Sequence, residues 1–194
     1  MTDEPTKKSR VLWVFVCGAG PAARVGILVS LAQDDGWDVH LIATPAGAGF
    51  IDIEALEKQT GNPVRTSHRT SSERRATGRP APDAIIVAPA SYNTINKLAH
   101  GTADTYALDL LSENLGRGTL IVILPFVNSA LAARRPFRRA LQELRAEGVR
   151  ILFGPGDWEP HSPGSGSARF DSFPWSLALR EVQRHTSPTI KPTL

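Results

Sequence analysis

Near its N-terminus the chain reads Val11-Leu12-Trp13-Val14-Phe15-Val16-Cys17-Gly18-Ala19-Gly20-Pro21. An unbroken apolar run of this length, rich in β-branched and aromatic residues, is typical of a strand buried on both faces of a parallel sheet. The glycines permit a tight turn, and Pro21 suits the first turn of a helix. Apolar residues then recur at helical spacing as far as Gly36. This stretch therefore predicts a strand–turn–helix unit of an α/β domain.

The same alternation of strands and helices continues along the chain. Further strands are predicted at 37–43, 83–88, 119–124 and 149–153, and further helices at 49–59, 93–100, 104–115, 136–147 and 176–184. The pattern predicts a three-layer α/β domain with a parallel sheet. In the predicted helix 49–59, Phe50, Ile53 and Leu56 share one face.

Two polar stretches interrupt this pattern. Residues 60–82 are rich in Arg, Ser, Thr, Gly and Pro and predict a long surface loop. Residues 154–174 are rich in Gly, Pro and Ser, and they either cover a substrate or form a disordered surface loop. Residues 1–194 are interpreted as a single domain with flexible tails at 1–9 and 186–194.

Composition excludes several classes of protein. The chain has 194 residues, of which 41% are hydrophobic and 21% charged, as in globular domains. No apolar run approaches the roughly 20 residues of a membrane helix, and the polar N-terminus is not a signal peptide, so we expect a cytoplasmic protein with no membrane partner. One cysteine excludes an intrachain disulfide, and five histidines without short spacing predict no metal site. Dispersed basic residues with few aromatics predict no nucleic-acid partner.

Ligands of open parallel sheets bind beyond the carboxyl ends of the strands, so the strand exits are the candidate sites. At the first exit, Gly18-Ala19-Gly20 leads into a helix N-terminus, which is compatible with a phosphate group. A tight turn without a ligand explains these residues equally well. At the second exit, Thr44 offers a hydroxyl group or caps a helix.

The third and fourth exits carry hydroxyl and amide groups. The third reads Pro89-Ala90-Ser91-Tyr92-Asn93-Thr94, which suits a ligand with many ring heteroatoms. The fourth reads Pro125-Phe126-Val127-Asn128. An asparagine at such a position is by itself more often a helix cap than a catalytic group.

The third exit, extended to Asp104, resembles the signature of the homo-oligomeric flavin-containing cysteine decarboxylases. The family sequence is Pro-Ala-Ser-Ala-Asn-Thr followed by a short helix and Gly-x-x-Asp, and this chain departs from it in Tyr92. The fourth exit resembles the family's Pro-x-Met-Asn motif, with Val127 in place of methionine. Thr44-Pro45 is similar to its second phosphate-side loop. The resemblance extends over roughly residues 10–185.

The resemblance implies a Rossmann-like, flavodoxin-type fold, bound FMN, and a homotrimer that can assemble further into a dodecamer. It also implies a set of cofactor-binding residues, namely Gly18, Ala19, Gly20, Thr44, Pro89, Ala90, Ser91, Asn93 and Thr94. Substrate would contact Pro125, Phe126 and Asn128, with Asn128 holding its carboxylate. In the family reaction, cysteine loses a hydride from Cβ to the flavin, and the resulting thioaldehyde loses CO₂ to give an enethiol.

The family's catalytic histidine precedes the third strand, and here the resemblance implies His68, which would act with Asn128; the alternative is a solvent-exposed histidine in a polar loop. Members of the pantothenate pathway also carry a cysteine in a C-terminal substrate-covering segment, whereas residues 154–169 contain none. We therefore predict decarboxylation of a peptide's C-terminal cysteine, which gives an aminoenethiol. The alternatives are a phosphopantothenoylcysteine decarboxylase-like enzyme, a flavin prenyltransferase and a non-catalytic flavin-binding regulatory subunit. The Pro-x-x-Asn motif argues against the prenyltransferase.

Overall fold

The computed structural model describes residues 10–68 and 80–186. Its centre is one five-stranded sheet in the order β2-β1-β3-β4-β5, and all of its pairings are parallel. The strands are β1 Arg10–Val16, β2 Trp37–Ala43, β3 Ala84–Ala90, β4 Leu120–Pro125 and β5 Arg150–Ile151. The predicted parallel α/β fold is confirmed, although β5 is shorter than the predicted strand 149–153. The strand order reverses between β1 and β3, which is where ligands of such sheets bind.

Helices cover both faces of this sheet. They are α1 Gly26–Asp34, α2 Pro45–Ala48, α3 Ile53–Thr60, α4 Tyr92–Ala99, α5 Tyr106–Gly116, α6 Ser129–Ala132, α7 Arg135–Ala146 and α8 Trp175–Thr186, with 3-10 turns at Gly20–Arg24 and Gly166–Arg169. Thr186 thus ends a helix, although the sequence placed it in the C-terminal tail. The other residues of the predicted tails, and positions 69–79 of the predicted loop, lie outside the described residues.

One predicted helix is wrong in its bounds. Residues 49–59 do not form a single helix, because α2 ends at Ala48 and α3 begins only after Asp52. The Asp52 carboxylate accepts a hydrogen bond from the backbone N–H of Ala55 and so sets the start of α3. Phe50 lies between the two helices and is 47% exposed, so it does not share a buried face with Leu56.

The continuous apolar character of β1 follows from the two layers of helices. Leu12, Val14 and Val16 face one apolar cluster, which includes side chains of α1 and α8. Val11, Trp13 and Phe15 face another, which includes side chains of α4, α5 and α7. Successive side chains of a strand point to opposite faces, so a strand between two helical layers must be apolar at every position.

Residues 154–173, called here the covering segment, are folded against the domain. Trp158 and Phe173 are buried in the same core as α8. The ring of Phe173 contacts those of Trp158 and Trp175 edge-on, at centroid distances of 5.6 and 4.7 Å. Of the two interpretations of this stretch, the disordered surface loop is therefore excluded. Within the described part of the chain, no helix combines the length and apolar character needed to cross a membrane.

Candidate functional site at the strand exits

The exits of β1 and β2 are in direct contact because two glycines let them approach. The backbone N–H of Thr44 donates to the carbonyl of Val16 at 2.9 Å. A Cβ atom on Gly47 would lie 2.2 Å from that carbonyl oxygen, and one on Gly18 would lie 2.8 Å from the Cβ of Ala46. The Thr44 hydroxyl accepts a hydrogen bond from the Gly47 N–H at 3.0 Å and caps α2. These residues form a tightly packed cradle with a hydroxyl group at its edge.

Gly20 has a structural reason to be glycine. A Cβ atom at this position would lie 2.0 Å from the Phe170 ring, so the covering segment packs directly on the β1 exit. Arg24, at the end of the same 3-10 turn, forms an ion pair with Asp171. The predicted phosphate turn is thus attached to the covering segment at two adjacent points.

The β3 exit supplies a hydroxyl cluster next to the β1 exit. Ser91 caps α4 by accepting from the Thr94 N–H at 3.2 Å, and the two hydroxyl groups lie 3.0 Å apart. Both hydrogen-bond the buried Cys17 thiol. Burial raises the pKa of Cys17 and those hydrogen bonds partly offset the rise, so the thiol stays protonated. Asn93 is exposed beside them on the first turn of α4.

Pro89 and Ala90 join the cluster to its neighbours through the backbone. The Pro89 carbonyl accepts from the Cys17 N–H at 3.2 Å, and the Ala90 carbonyl accepts from the Phe126 N–H at 2.9 Å. Both residues are buried at the end of β3, and the Ala88–Pro89 peptide bond is cis. The exits of β1, β3 and β4 are therefore one connected surface, as the parallel topology predicted.

Asn128 begins the short helix α6 at the β4 exit. Its Oδ1 accepts a hydrogen bond from the Leu131 N–H at 2.9 Å. Asn128 therefore caps α6, which is one of the two roles that the sequence left open. This hydrogen bond uses only the oxygen of the amide, and the Nδ2 group makes no recorded hydrogen bond to any described residue. Asn128 also pairs with His161 in an isolated parallel bridge. Phe126, two residues earlier, is buried against His161 and Phe170.

His161 belongs to the stretch that the sequence offered as a substrate cover, and it was not among the predicted site residues. Its ring stacks on Phe126 at 4.6 Å with an interplanar angle of 29°. Burial, and secondarily the positive charge of Arg169, lower the pKa of His161. In the sequence it stood within a polar stretch with no strand pattern, so its pairing with Asn128 could not be seen there.

His68 lies elsewhere on the surface of the chain. Its side chain is 64% exposed, and its Nε2 is 3.8 Å from the Asp109 carboxylate. Its ring meets Tyr106 edge-on at 4.9 Å. Both partners belong to α5, and no contact with Asn128 is recorded. The structure therefore does not bring the two predicted catalytic residues together within one chain.

A large open groove of about 1120 Å³ lies between α4 and α7. Its lining includes Arg135, Arg138 and Arg139, which are exposed on α7 as expected for a solvated helix face. The groove shares no lining residue with the strand exits, so we do not assign the site to it. Within residues 10–68 and 80–186, no group of three or more His, Cys, Asp or Glu side chains could hold a metal ion.

A family model described as Flavoprotein matches residues 2–173. Among curated proteins, the chain is 29% identical over 147 residues to the coenzyme A biosynthesis bifunctional protein CoaBC of Haemophilus influenzae. That match covers 73% of this chain and 36% of the relative. The chain thus spans about a third of the length of the curated relatives that it matches.

Two solved structures have the same fold. A PPC decarboxylase variant complexed with pantothenoylaminoethenethiol has a TM-score of 0.65 at 19% identity, and the match covers 92% of this chain and 100% of that one. The FMN-dependent cysteine decarboxylase TvaF from thioviridamide biosynthesis has a TM-score of 0.65 at 23% identity, with 88% and 96% covered. The resemblance read from the strand-exit motifs is confirmed.

Proposed function

Because the chain belongs to the flavoprotein family, we propose that it binds FMN and oxidatively decarboxylates the C-terminal cysteine of a ribosomal peptide, releasing CO₂ and leaving an aminoenethiol. The observation that supports this most strongly is the connected surface at the strand exits. There the Ser91–Thr94 hydroxyl cluster and the Asn128 amide are joined through the backbone of Ala90 and Phe126.

The residues at this surface fit FMN. Gly18 and Gly47 let Ala46 and the Val16 carbonyl pack closely, so these glycines bring the β1 and β2 exits together at the edge where a phosphate group would bind. Thr44, Ser91 and Thr94 supply hydroxyl groups that can donate to phosphate or ring oxygen atoms. The eight-residue helix α4 directs its positive end toward the same place. Gly20 would support the cofactor site indirectly, because the Phe170 ring packs against it and leaves no room for a side chain.

FMN, when bound, supplies the hydride acceptor that oxidation of cysteine requires. The protein's own residues then hold the substrate in place. The Asn128 Nδ2 group donates to the substrate carboxylate while Oδ1 keeps its cap hydrogen bond, and Pro125 and Phe126 form an apolar wall beside it. An apolar setting weakens solvation of the carboxylate, which favours its loss as CO₂.

The first experiment tests the cofactor and the reaction together. Purified protein should absorb light at about 450 nm and release flavin on denaturation. Peptides ending in cysteine should lose about 46 Da in a mass spectrum, the sum of two hydrogen atoms and CO₂. The same peptides ending in serine, or with an amidated C-terminus, should be unchanged. Flavin-loaded protein that leaves every cysteine-ended peptide intact would overturn the peptide assignment.

A small-molecule substrate is the second candidate, and it is favoured by the match to the complete chain of a PPC decarboxylase. Phosphopantothenoylcysteine should be tested beside the peptides, and conversion of it alone would select this alternative. Transfer of a prenyl group to the flavin would select a prenyltransferase. Flavin binding without turnover of any substrate would select a regulatory subunit.

We also propose that the protein is a cytoplasmic homotrimer, with FMN at the interface and the dodecamer as a further assembly. Such an interface offers a way for His68 of one protomer to reach Asn128 of another. Light scattering coupled to size-exclusion chromatography measures the assembly. Complementation between His68→Asn and Asn128→Asp subunits, mixed and reassembled, would then test the shared site.

A further inference from the structure

The covering segment is joined to the substrate end of the proposed site at one residue. His161 pairs with Asn128 in a parallel bridge, and its carbonyl accepts from the Ser129 N–H at 2.7 Å. Residues opposite each other in parallel strands project their side chains from the same face, and so do residues two apart along one strand. His161, Asn128 and Phe126 therefore share a face, which agrees with the stacking of His161 on Phe126.

The His161 imidazole is placed where a polar ring is costly. The residue is 9% exposed, and its buried Nδ1 has no hydrogen-bond partner. Its Nε2 lies 3.0 Å from the position of a Cβ on Gly166, so a larger residue at 166 would displace the ring. A buried polar atom without a partner costs about 1–3 kcal/mol, and phenylalanine would fill the same space without that cost. Packing alone therefore does not account for a histidine here.

The charges around the ring favour its neutral form. The positive charge of Arg169 repels a proton on the His161 ring. The Arg169 guanidinium lies over the Trp158 ring, 4.1 Å from its centroid. Phe126 and Asn128 at the β4 exit, and Gly166 in the covering segment, carry no charge. Protonation would therefore place a second positive charge near Arg169, in an apolar position with no described carboxylate paired to it.

We infer that neutral His161 is a positioning residue: its ring holds the covering segment on Phe126 and thereby orients Asn128 toward the substrate carboxylate, and protonation of the ring loosens this attachment. The inference rests on the proposed function for its link to substrate. The lowered pKa agrees with it. Since the folded protein binds fewer protons at this ring than the unfolded chain, the stabilisation is complete above the ordinary pKa of 6.5. It is lost as the pH falls below 6.5 and through the lowered pKa of the folded protein.

The experiment compares flavin-loaded wild type with His161→Phe, which keeps a stacking ring but cannot titrate, and His161→Gln, which loses the ring. His100→Gln, at an exposed helix end outside the site, is the matched control. In wild type, KM for the cysteine-ended peptide should rise several-fold from pH 7.5 to about 5.5, with a smaller change in kcat. His161→Phe should remove this rise, and His161→Gln should have the high KM at every pH.

Hydrogen–deuterium exchange of the same proteins without substrate gives a second measurement. After correction for the intrinsic pH dependence of amide exchange, residues 154–173 should be less protected at low pH in wild type and in the His100→Gln control, and equally protected at both pH values in His161→Phe. A wild-type pH response that survives in His161→Phe would overturn the inference, as would wild-type KM and exchange in His161→Gln. If no peptide is turned over, the proposed function fails, and the exchange data still decide whether His161 attaches the segment.

Discussion

Replacing Asn128 by aspartate or by alanine separates two roles of one side chain. Aspartate keeps an oxygen at the position that caps α6, where Oδ1 accepts from the Leu131 N–H. It replaces the Nδ2 donor by a second oxygen that carries negative charge and repels a substrate carboxylate. Alanine removes both the cap and the donor. The pair of variants therefore distinguishes stability from substrate binding.

The magnitudes follow from these contacts. Loss of an N-cap costs about 1 kcal/mol, which for a chain of this size lowers Tm by about 2–4 °C, so Asn128→Ala should show that shift and Asn128→Asp almost none. A hydrogen bond to a charged group contributes about 1.5–3 kcal/mol. Its loss corresponds to about a tenfold to hundredfold decrease in kcat/KM for both variants, and the repulsion should make aspartate the worse of the two.

Calorimetry measures Tm, and release of CO₂ from a cysteine-ended peptide measures kcat/KM. Flavin content should be equal in wild type and both variants, because Asn128 is proposed to contact the substrate and not the cofactor. If Asn128→Asp decarboxylates the peptide as fast as wild type, the amide does not hold the carboxylate, and the substrate site must lie elsewhere.

Three further predictions test other parts of the site. Gly47→Ala places a Cβ atom 2.2 Å from the Val16 carbonyl oxygen, so it should lower the free energy of unfolding by about 1–3 kcal/mol in calorimetry and reduce flavin content. Gly49→Ala is the control: its Cβ would lie 3.7 Å from the nearest atom, so neither quantity should change. The Cys17 thiol, buried and protonated, should react with iodoacetamide only after denaturation, and rapid alkylation of native protein would refute its burial. His68→Asn should leave Tm unchanged because the side chain is exposed, while decarboxylation falls; unchanged kcat would exclude His68 as the catalytic residue.

The sequence determined the parallel α/β fold and the positions of the four strand exits. A run such as Val11–Val16 is apolar at every position because both faces of the strand are covered, and this property is visible locally. The motif from Pro89 to Asp104 was sufficient to indicate the family, since it lies in consecutive residues. The sequence also offered helix capping as a role for Asn128, because a helix cap depends only on residues that are close along the chain.

Tertiary structure alone decided the rest. The close packing of Gly47 on the Val16 carbonyl, which lies far away in sequence, joins the exits of β1 and β2. The covering segment has too little apolar periodicity to predict its packing, yet its few aromatic side chains bury it against α8 and the β4 exit. The pairing of His161 with Asn128 follows from that packing. Backbone pairing and ring stacking between distant segments leave no pattern in either segment, so the sequence placed His161 in a stretch that could cover the substrate but did not indicate its pairing with Asn128.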